Sequence, residues 1–521
     1  MSGIALKDER GAAPAPRGSV PGGARAAVDA PAGHRAAVVA LAASLSLYVL
    51  ALVIYASTGD QDAAIHATYA RFPTEPARYL SVYARPLFAV PYLLPALGGY
   101  TAMRVTSVLL CGGAAWLTYL TARRLGIRQA WLAVPLVLLQ PALVPVGVDT
   151  MTEPAFAVTL AAGFLALAHG RRAAAAAALS FLPLARPEGP FVIACVALSW
   201  LPAALGDLRR AGRAGDVVRY WLPRFLLFAL GVLVWWAGSA LWTGSPTFLR
   251  DTFPWQNGAN PWRGTWYHYV QRWPRIVGWS ALALWFCGLR ASLRSYVLRL
   301  AVAITVVLLV LHTYMYMTGA MGSTGFDRYF AAIAPLVALV AVAGGDALAR
   351  RLPRRWWEAA MVPLLGVAAL HAFISIDSNP SSYMGRATLE SVRQARRLVP
   401  DLERRQLLAA DYFGYVFLDR DRDSTALPVG GHDVTAPLLA KYPPGTVVLW
   451  DNATGDWWFH LAVEDFTARG YRLLWERRTE LRSPFAELYV RKGSPEWTQW
   501  VQKTWGTWPY RDFRQAVLVK E

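Results

Sequence analysis

The sequence predicts a polytopic α-helical membrane protein with a small C-terminal α/β domain. Of its 521 residues, 55% are hydrophobic and 17% are charged, which is too apolar for an ordinary soluble protein. The apolar residues gather in long runs, and the basic residues lie in the connections between them. The net charge of +18 is therefore spread over many loops, which favours topology signals over a nucleic-acid-binding face.

Eleven apolar runs are candidate membrane spans, because a helix needs about 20 mostly apolar residues to cross the hydrocarbon of a bilayer. The runs that begin at residues 173 and 274 are short for a full crossing, so the count depends more on the alternation of basic loops. The predicted spans are 36–57, 104–122, 129–147, 153–169, 173–186, 189–205, 221–243, 274–289, 298–318, 328–348 and 357–376.

Basic residues occupy every second connection between these spans. Arg123 and Arg124 follow the second span, for example, and Arg171 and Arg172 follow the fourth. Lys and Arg collect in cytoplasmic loops, so the N-terminus is predicted to be cytoplasmic, and an odd number of spans places the C-terminal domain outside. The Ala- and Arg-rich composition indicates a GC-rich bacterial genome, so we expect this multi-pass protein in a bacterial plasma membrane. The predicted parts are a disordered cytoplasmic leader (1–33), a transmembrane domain (34–376) and an exoplasmic α/β domain (377–521).

Charged residues recur where the predicted spans end on the exoplasmic side. Each of them alone is equally well explained as an interfacial salt bridge, but five separate junctions contribute. Such a set fits a polar cavity that opens outward between the helices. The loops predicted to surround it are 57–100, 148–153, 244–273 and 319–328. The first is rich in Tyr and the third in Trp and Tyr, as an interfacial belt or a sugar site would be. The charged residues nearest the span ends include Asp62, Arg85, Arg104, Glu153, Arg186, Glu188, Asp327 and Arg328.

Several motifs, in this order along residues 36–350, resemble those of the membrane glycosyltransferases of the C-type (GT-C) fold. The similarity is to bacterial relatives of protein O-mannosyltransferases and to the lipid A aminoarabinose transferase. In that family the first outer loop carries Asp-Glu-Ala-Ile-Tyr, where this chain has "DAAIH" from Asp62 to His66. The second acid is missing and Asp60 stands two residues earlier, so the choice between the two aspartates stays open. The other matches are "YARPLF" (83–88), "MRVTSVLLCGGAAWLTYLTARRLG" (103–126), "DTMTEPAFA" (149–157), "LARPEGP" (184–190) and "GFDRYFAAIAPLVAL" (325–339).

The resemblance implies that a monosaccharide, such as mannose or arabinose, passes from a polyprenyl-phosphate sugar in the bilayer to an exoplasmic protein, lipid or glycan. Asp62 or Asp60 would be the general base that deprotonates the acceptor, and direct attack on the anomeric carbon predicts inversion. Arginines would stabilise the leaving lipid phosphate. The implied substrate-binding residues are His66, Arg85, Glu153, Arg186, Glu188, Arg328 and Tyr329.

Two alternatives concern a metal and the class of protein. Asp60 and Asp62 could hold Mg²⁺ or Mn²⁺, but the resemblance points to the metal-independent branch, so no cofactor is predicted. A transporter or lipid flippase would also place charges inside a bundle, yet it would be expected to show internal repeats and charges at both ends. We see an outward cluster and no repeat, which favours the enzyme; a catalytically inert scaffold would tolerate neutralisation of that cluster.

The tail has the composition of a soluble domain. Strands are predicted at 407–412, 446–452, 471–477 and 485–491, and helices near 387–399 and 460–469. It contains no glycine loop that would cradle a phosphate and no catalytic triad. We therefore expect it to assist acceptor binding or to cover the cavity.

Overall fold

The computed structural model contains a long helical bundle followed by a small domain built on one sheet. It describes residues 31–59, 61–73, 75–82, 85–210, 214–252, 263–320, 323, 325–377, 379–421, 432–452, 454–455, 459–481 and 511–521. The predicted polytopic helical architecture with a small C-terminal α/β domain is confirmed. Most of the predicted leader, residues 1–30, lies outside the described residues.

The bundle is built from helices of very different lengths. Its first half consists of α1 (Pro31–Ile54), α2 (Gln61–Arg71), α3 (Pro76–Leu80), α4 (Pro86–Ala96), α5 (Gly99–Arg124), α6 (Ala133–Leu138), α7 (Leu143–Gly147), α8 (Glu153–Ala168) and α9 (Arg172–Leu179). Its second half consists of α10 (Gly189–Arg210), α11 (Ala214–Leu226), α12 (Leu230–Thr243), α13 (Phe248–Asp251), α14 (His268–Val277), α15 (Trp279–Ser292), α16 (Tyr296–Thr318), α17 (Ala334–Ala349) and α18 (Arg354–Asp377).

Seven helical segments of the described chain are long and apolar enough to cross a membrane. Each coincides with a predicted span, whereas the remaining four predicted spans fall on shorter helices, so the total of eleven stays a prediction. Many of their apolar side chains face outward; Leu241, for example, is 87% exposed and Val362 75%. The seven segments are Gly33–Ile54, Gly99–Arg124, Gly189–Arg210, Ala214–Thr243, Tyr296–Thr318, Asp327–Ala349 and Arg354–Asp377.

The segment predicted as one span at 129–147 is instead divided between α6 and α7. Pro141 lies between them, and a proline cannot donate the backbone hydrogen bond that would continue a helix. The Gln140 side chain donates to the carbonyl oxygens of Leu136 (2.8 Å) and Ala334 (2.9 Å). The polar groups at this break are therefore satisfied by neighbouring backbone rather than by solvent.

Helices α15 and α17 approach so closely that two positions admit only glycine. A Cβ atom on Gly288 would lie 2.0 Å from the Val340 carbonyl oxygen, and one on Gly344 would lie 1.9 Å from that of Leu284. Small residues allow such contact between backbones in a bilayer, where packing drives helix association. The segment that contains α17 is 89% buried over its most apolar part. It is thus the central helix, and the turn before it is fixed at one end of the bundle.

The C-terminal domain packs α19 (Pro380–Leu398) on a four-stranded sheet. The order is β1-β2-β4-β3; β1 pairs with β2 in parallel, and the other neighbours are antiparallel. The last strand was missed by the sequence prediction, and the strand predicted at 485–491 lies outside the described residues. The strands are β1 (Leu407–Ala409), β2 (Val447–Asp451), β3 (Tyr471–Leu481) and β4 (Arg511–Lys520), with short helices α20 (Phe413–Phe417), α21 (His432–Thr435) and α22 (Val463–Thr467) between them.

Candidate active site

Charged side chains from four parts of the chain meet at the end of the bundle that carries the C-terminal domain. They come from the first turn of α2, the start of α8, the turn before α10 and the 3₁₀ helix Asp327–Ile333 that precedes α17. These four segments are far apart in sequence. We call its members the charged cluster: Asp62, Glu153, Arg186, Glu188 and Arg328.

The segment before α2 is anchored by a carboxylate to which the sequence prediction assigned no site role. Asp149 is fully buried, and its Oδ2 accepts hydrogen bonds from the backbone N–H groups of Thr58 (2.7 Å) and Gly59 (2.6 Å). Its Oδ1 accepts from the Thr150 N–H (2.8 Å) and from the Tyr100 hydroxyl. Four donors around one buried carboxylate satisfy it as an anion and fix the start of α2 against the bundle.

Asp62 and Arg328 form the accessible part of the charged cluster. Asp62 lies in the first turn of α2, where the helix dipole favours a negative charge, and its Oδ2 is 2.5 Å from Arg328 Nη2. The guanidinium also contacts the Phe326 ring (5.1 Å to the centroid) and Met151 Sδ (3.7 Å). The side chains are 36% and 16% exposed, so a ligand can reach this pair without unfolding the site.

Arg186 forms the buried part, where it holds two carboxylates at once. Its Nη2 and Nε donate to Glu188 at 3.0 and 3.2 Å, in the paired geometry that suits guanidinium and carboxylate. Its Nη1 lies 2.6 Å from Glu153 Oε1 and also donates to the Thr152 hydroxyl at 3.1 Å. All three charged side chains are less than 10% exposed. One cation among two anions leaves this part of the cluster with a negative balance.

Tyr329 connects the two parts of the cluster. It follows Arg328 in the chain, and its ring stacks on His312 with centroids 5.2 Å apart and planes 17° from parallel. The Arg186 guanidinium lies 5.8 Å from the same ring, and His312 Nε2 lies 3.3 Å from a Glu188 oxygen. Arg186 and His312, both in contact with Glu188, therefore fix Tyr329 and with it the 3₁₀ turn that carries Arg328.

The charges and the burial of the cluster shift one carboxyl strongly. Burial alone would raise the pKa of Glu188, but Arg186 and His312 stabilise its anion, and the pKa falls to about 2. Glu188 is therefore ionised at any physiological pH.

Two other predicted site residues, Arg85 and His66, are buried close by. Arg85 has a φ of 57°, which is unusual for a residue other than glycine, and its Nη1 donates to the Pro183 carbonyl oxygen at 2.8 Å. Burial lowers the pKa of Arg85 to about 9. His66 lies one turn after Asp62 and packs on Phe88 at 4.6 Å, and burial lowers the pKa of His66, which favours the neutral imidazole.

Asp327 does not belong to the charged cluster, because it is paired with two arginines of α14. It accepts from Arg272 (3.1 Å) and lies 2.8 Å from Arg275, both on α14. The two arginines are three residues apart and so share a helix face, which is the sequence signal that could have predicted their common partner. This ion triplet fixes the residue before Arg328 to α14.

The residue before Asp62 joins α2 to the C-terminal domain. Gln61 Nε2 donates to Asp411 Oδ1 at 2.9 Å, and Gln61 Oε1 accepts from the Tyr412 N–H at 2.9 Å. Asp411 is buried and also accepts from the Thr388 hydroxyl (2.5 Å). No sequence signal indicates this contact, because the partners are about 350 positions apart.

The structure thus brings together all the described residues of the predicted site. Asp60 lies outside the described residues, so the choice between it and Asp62 stays open. The roles assigned to the other residues remain predictions. Among the described residues, no group of three His, Cys, Asp or Glu side chains is arranged to hold a metal ion. The grouped residues are Asp62, His66, Arg85, Glu153, Arg186, Glu188, Arg328 and Tyr329.

Comparison with solved structures identifies the fold. The chain is similar to ArnT from Cupriavidus metallidurans in the apo state, with a TM-score of 0.55 and 14% sequence identity over 80% of this chain and 93% of that one. The structure of the same ArnT bound to undecaprenyl phosphate gives a TM-score of 0.55 and 14% identity over 92% and 97%. No family model and no curated protein matches the sequence. The likeness confirms the GT-C fold that the motifs implied.

Proposed function

We propose that this chain, which has the fold of the GT-C membrane glycosyltransferases, transfers a monosaccharide from a polyprenyl-phosphate sugar to an acceptor. The observation that carries the proposal is the partly exposed Asp62–Arg328 pair, which lies next to a buried charge network. A second support is the fold, which is shared with ArnT, a protein whose structure has been determined with undecaprenyl phosphate bound.

Asp62 is assigned the role of general base. Its carboxylate is accessible and lies at the start of a helix that Asp149 and Gln61 fix on two sides. A base held in this way can accept the proton of an acceptor hydroxyl as the oxygen attacks the anomeric carbon. Direct attack from one side inverts the configuration of that carbon. Asp60 is the alternative base.

Arg328 is assigned to the leaving phosphate. A guanidinium carries five N–H donors, so Arg328 can bind a phosphate oxygen while it stays next to Asp62. Negative charge grows on the lipid phosphate as the glycosidic bond breaks, and a fixed cation beside a partly buried site stabilises that charge. Arg85, buried close by, adds positive charge to the same site, whereas the charge of Arg186 is offset by Glu153 and Glu188.

The side of the membrane on which the sugar is delivered depends on the topology of the chain. The charged cluster and the C-terminal domain lie at the same end of the bundle. If that domain is exoplasmic, as the basic loops predict, the sugar is delivered outside the cytoplasm of a bacterial cell. The sugar, mannose or arabinose among others, and the acceptor, a protein, lipid or glycan, belong to the same proposal.

The test measures lipid binding and transfer separately. Native mass spectrometry of the detergent-purified chain with added undecaprenyl phosphate should show that Arg328→Ala weakens binding about tenfold or more. Asp62→Asn should keep that binding, yet it should lower transfer from the glycosylated lipid about 100-fold or more, as loss of a general base does.

Two exposed residues of α11 provide matched controls at the opposite end of the bundle. Asp216→Asn and Arg219→Ala make the same chemical changes where no described residue of the cluster is nearby, and both should leave binding and transfer intact. If no polyprenyl phosphate binds, the proposed donor is wrong and a transporter becomes the better reading. If neither Asp62→Asn nor Asp60→Asn lowers transfer, the assignment of the base is wrong.

A further inference from the structure

A groove of about 790 Å³ lies between the bundle and the C-terminal domain, away from the Asp62–Arg328 pair. Its walls are the end of α1, the turn before α5, one face of α19 and the end of α20. Tyr100 forms part of the wall and donates its hydroxyl to Asp149, which stands between the groove and the start of α2. Neither Asp62 nor Arg328 lines it.

One wall of the groove is apolar and lies where a membrane span ends. Leu52, Val53 and Ile54 form the last turn of α1, one of the helices long enough to cross a bilayer. Val53 is 79% exposed and Ile54 36%. An apolar wall of this kind at the end of a span is in reach of the acyl chains of neighbouring lipids.

Three guanidinium groups also line the groove. Arg104 is 3% exposed, its Nε donates to the Val148 carbonyl oxygen at 2.8 Å, and its Nη2 has no hydrogen-bond partner in the described part of the chain. Arg386 and Arg393 are seven residues apart on α19 and so share one face. Arg386 donates to the Ile54 carbonyl oxygen at 2.7 Å, and the Arg393 side chain is 62% exposed.

Little negative charge opposes these cations. Among the described lining residues the one acid is Asp419, and it is held by Arg71 in a paired contact at 2.7 and 2.8 Å. Glu390 lies outside the lining and is 3.6 Å from Arg393. A buried guanidinium nitrogen without a partner is costly, and an anion in the groove would satisfy it.

We propose that this groove binds a bilayer phospholipid by its anionic headgroup. The phosphate would bind Arg104, Arg386 and Arg393, and the acyl chains would lie along the exposed end of α1. Guanidinium groups bind phosphate oxygens strongly, and basic pockets next to spans recognise anionic lipids. The apolar wall favours a lipid over free phosphate. The proposal does not rest on the proposed transferase function, whose donor site lies at Asp62 and Arg328.

A lipid in this place would connect three parts of the protein. It would contact the end of α1, the start of α5 and helix α19 of the C-terminal domain. Tyr100 in the groove wall donates a hydrogen bond to Asp149, and Asp149 accepts one from the backbone of the segment before α2. The lipid would therefore stabilise the docked position of the domain.

The experiment adds phosphatidylglycerol or phosphatidylcholine to the delipidated, detergent-purified full chain and counts bound lipids by native mass spectrometry. Wild type should retain phosphatidylglycerol in preference to phosphatidylcholine. Arg386→Ala/Arg393→Ala should bind phosphatidylglycerol about tenfold more weakly, because two cations are lost. The control Arg209→Ala/Arg210→Ala, at the exposed end of α10, should bind as wild type does.

A second variant guards against a general loss of structure. Arg393→Glu reverses one exposed charge that makes no described hydrogen bond to the bundle, and it should also weaken phosphatidylglycerol binding. Equal binding by wild type and both variants would overturn the proposal. If inorganic phosphate raises the unfolding temperature of the protein and added phosphatidylglycerol raises it no further, the groove is a site for free anions instead. Preferential retention of undecaprenyl phosphate that is lost in Arg393→Glu would assign the groove to the polyprenyl carrier.

Discussion

Replacing Arg186 with methionine tests whether the buried part of the charged cluster supports the site. Methionine is similar in length and fills much of the same space, so the change removes the charge and the donors with little loss of volume. Glu153 and Glu188 would then remain buried without the cation that lies 2.6 and 3.0 Å from them. His312, 3.3 Å from Glu188, is the one other basic group in described contact with either carboxylate.

The expected magnitude follows from the burial of the three groups. Their side chains are 9%, 0% and 6% exposed, so solvent cannot screen the unpaired carboxylates. Removing one partner of a buried ion pair typically destabilises a protein by about 3–5 kcal/mol. Arg186→Met should lie in that range.

The assay is thermal unfolding of the purified protein in detergent, followed by tryptophan fluorescence. Arg354→Met is the matched control, because Arg354 forms an ion pair with Glu358 that is 91% and 59% exposed. Such surface pairs contribute about 0–1 kcal/mol, so the control should unfold close to wild type. The variant Arg186→Met/Glu188→Gln removes both charges of the paired contact and should recover part of the loss.

Equal unfolding of Arg186→Met and Arg354→Met would refute this reasoning. It would mean that water or an alternative partner reaches Glu153 and Glu188. Recovery of none of the loss in the double variant would show that Arg186 acts through its packing rather than its charge.

Three further predictions concern acid, domain contact and metal. The pKa of Glu188 is lowered from its ordinary 4.5 to about 2, so its contribution to stability is full above pH 4.5 and is lost as the pH falls towards 2. In Glu188→Gln the unfolding temperature should therefore change less with pH between 4.5 and 2 than it does in the wild type. Gln61→Leu removes the hydrogen bonds of Gln61 to Asp411, Tyr412 and Thr454 of the C-terminal domain, so transfer should fall about tenfold or more while undecaprenyl phosphate still binds. Gln394→Leu is the control, and loss of binding in Gln61→Leu would contradict a positioning role. EDTA should leave transfer unchanged, and restoration of lost activity by Mg²⁺ would contradict the metal-independent mechanism.

The parts of the structure that could be predicted are those that depend on the local sequence, such as runs of apolar or β-branched residues. Seven of the eleven apolar runs form long helices, and Gly99–Arg124 and Tyr296–Thr318 among them contain their predicted spans. Charges at span ends are costly unless they are paired, which is why Arg186 and Glu188 could be expected to meet polar partners. The strand at 447–451 was recognised from its run of β-branched and aromatic residues.

The parts that could not be predicted depend on contacts between distant residues. Pro141 breaks the third apolar run, and this break is tolerated because Gln140 reaches a carbonyl of the later segment at Ala334. Strand β4 pairs with two other strands, but its sequence mixes charged and apolar residues and lacks a clear period. Asp149 could be placed in an outer loop from the sequence, yet nothing local indicated that it would bind the backbone before α2.

The C-terminal domain is tied to the first loop by a series of paired side chains. Gln61 binds Asp411, Arg71 binds Asp419, and Arg78 lies 2.5 Å from Asp421. In a chimaera of two such proteins, the tail therefore cannot be exchanged alone. The segment 55–78 has to be transplanted with it, and the functional boundary of the tail includes residues more than 300 positions earlier in the chain.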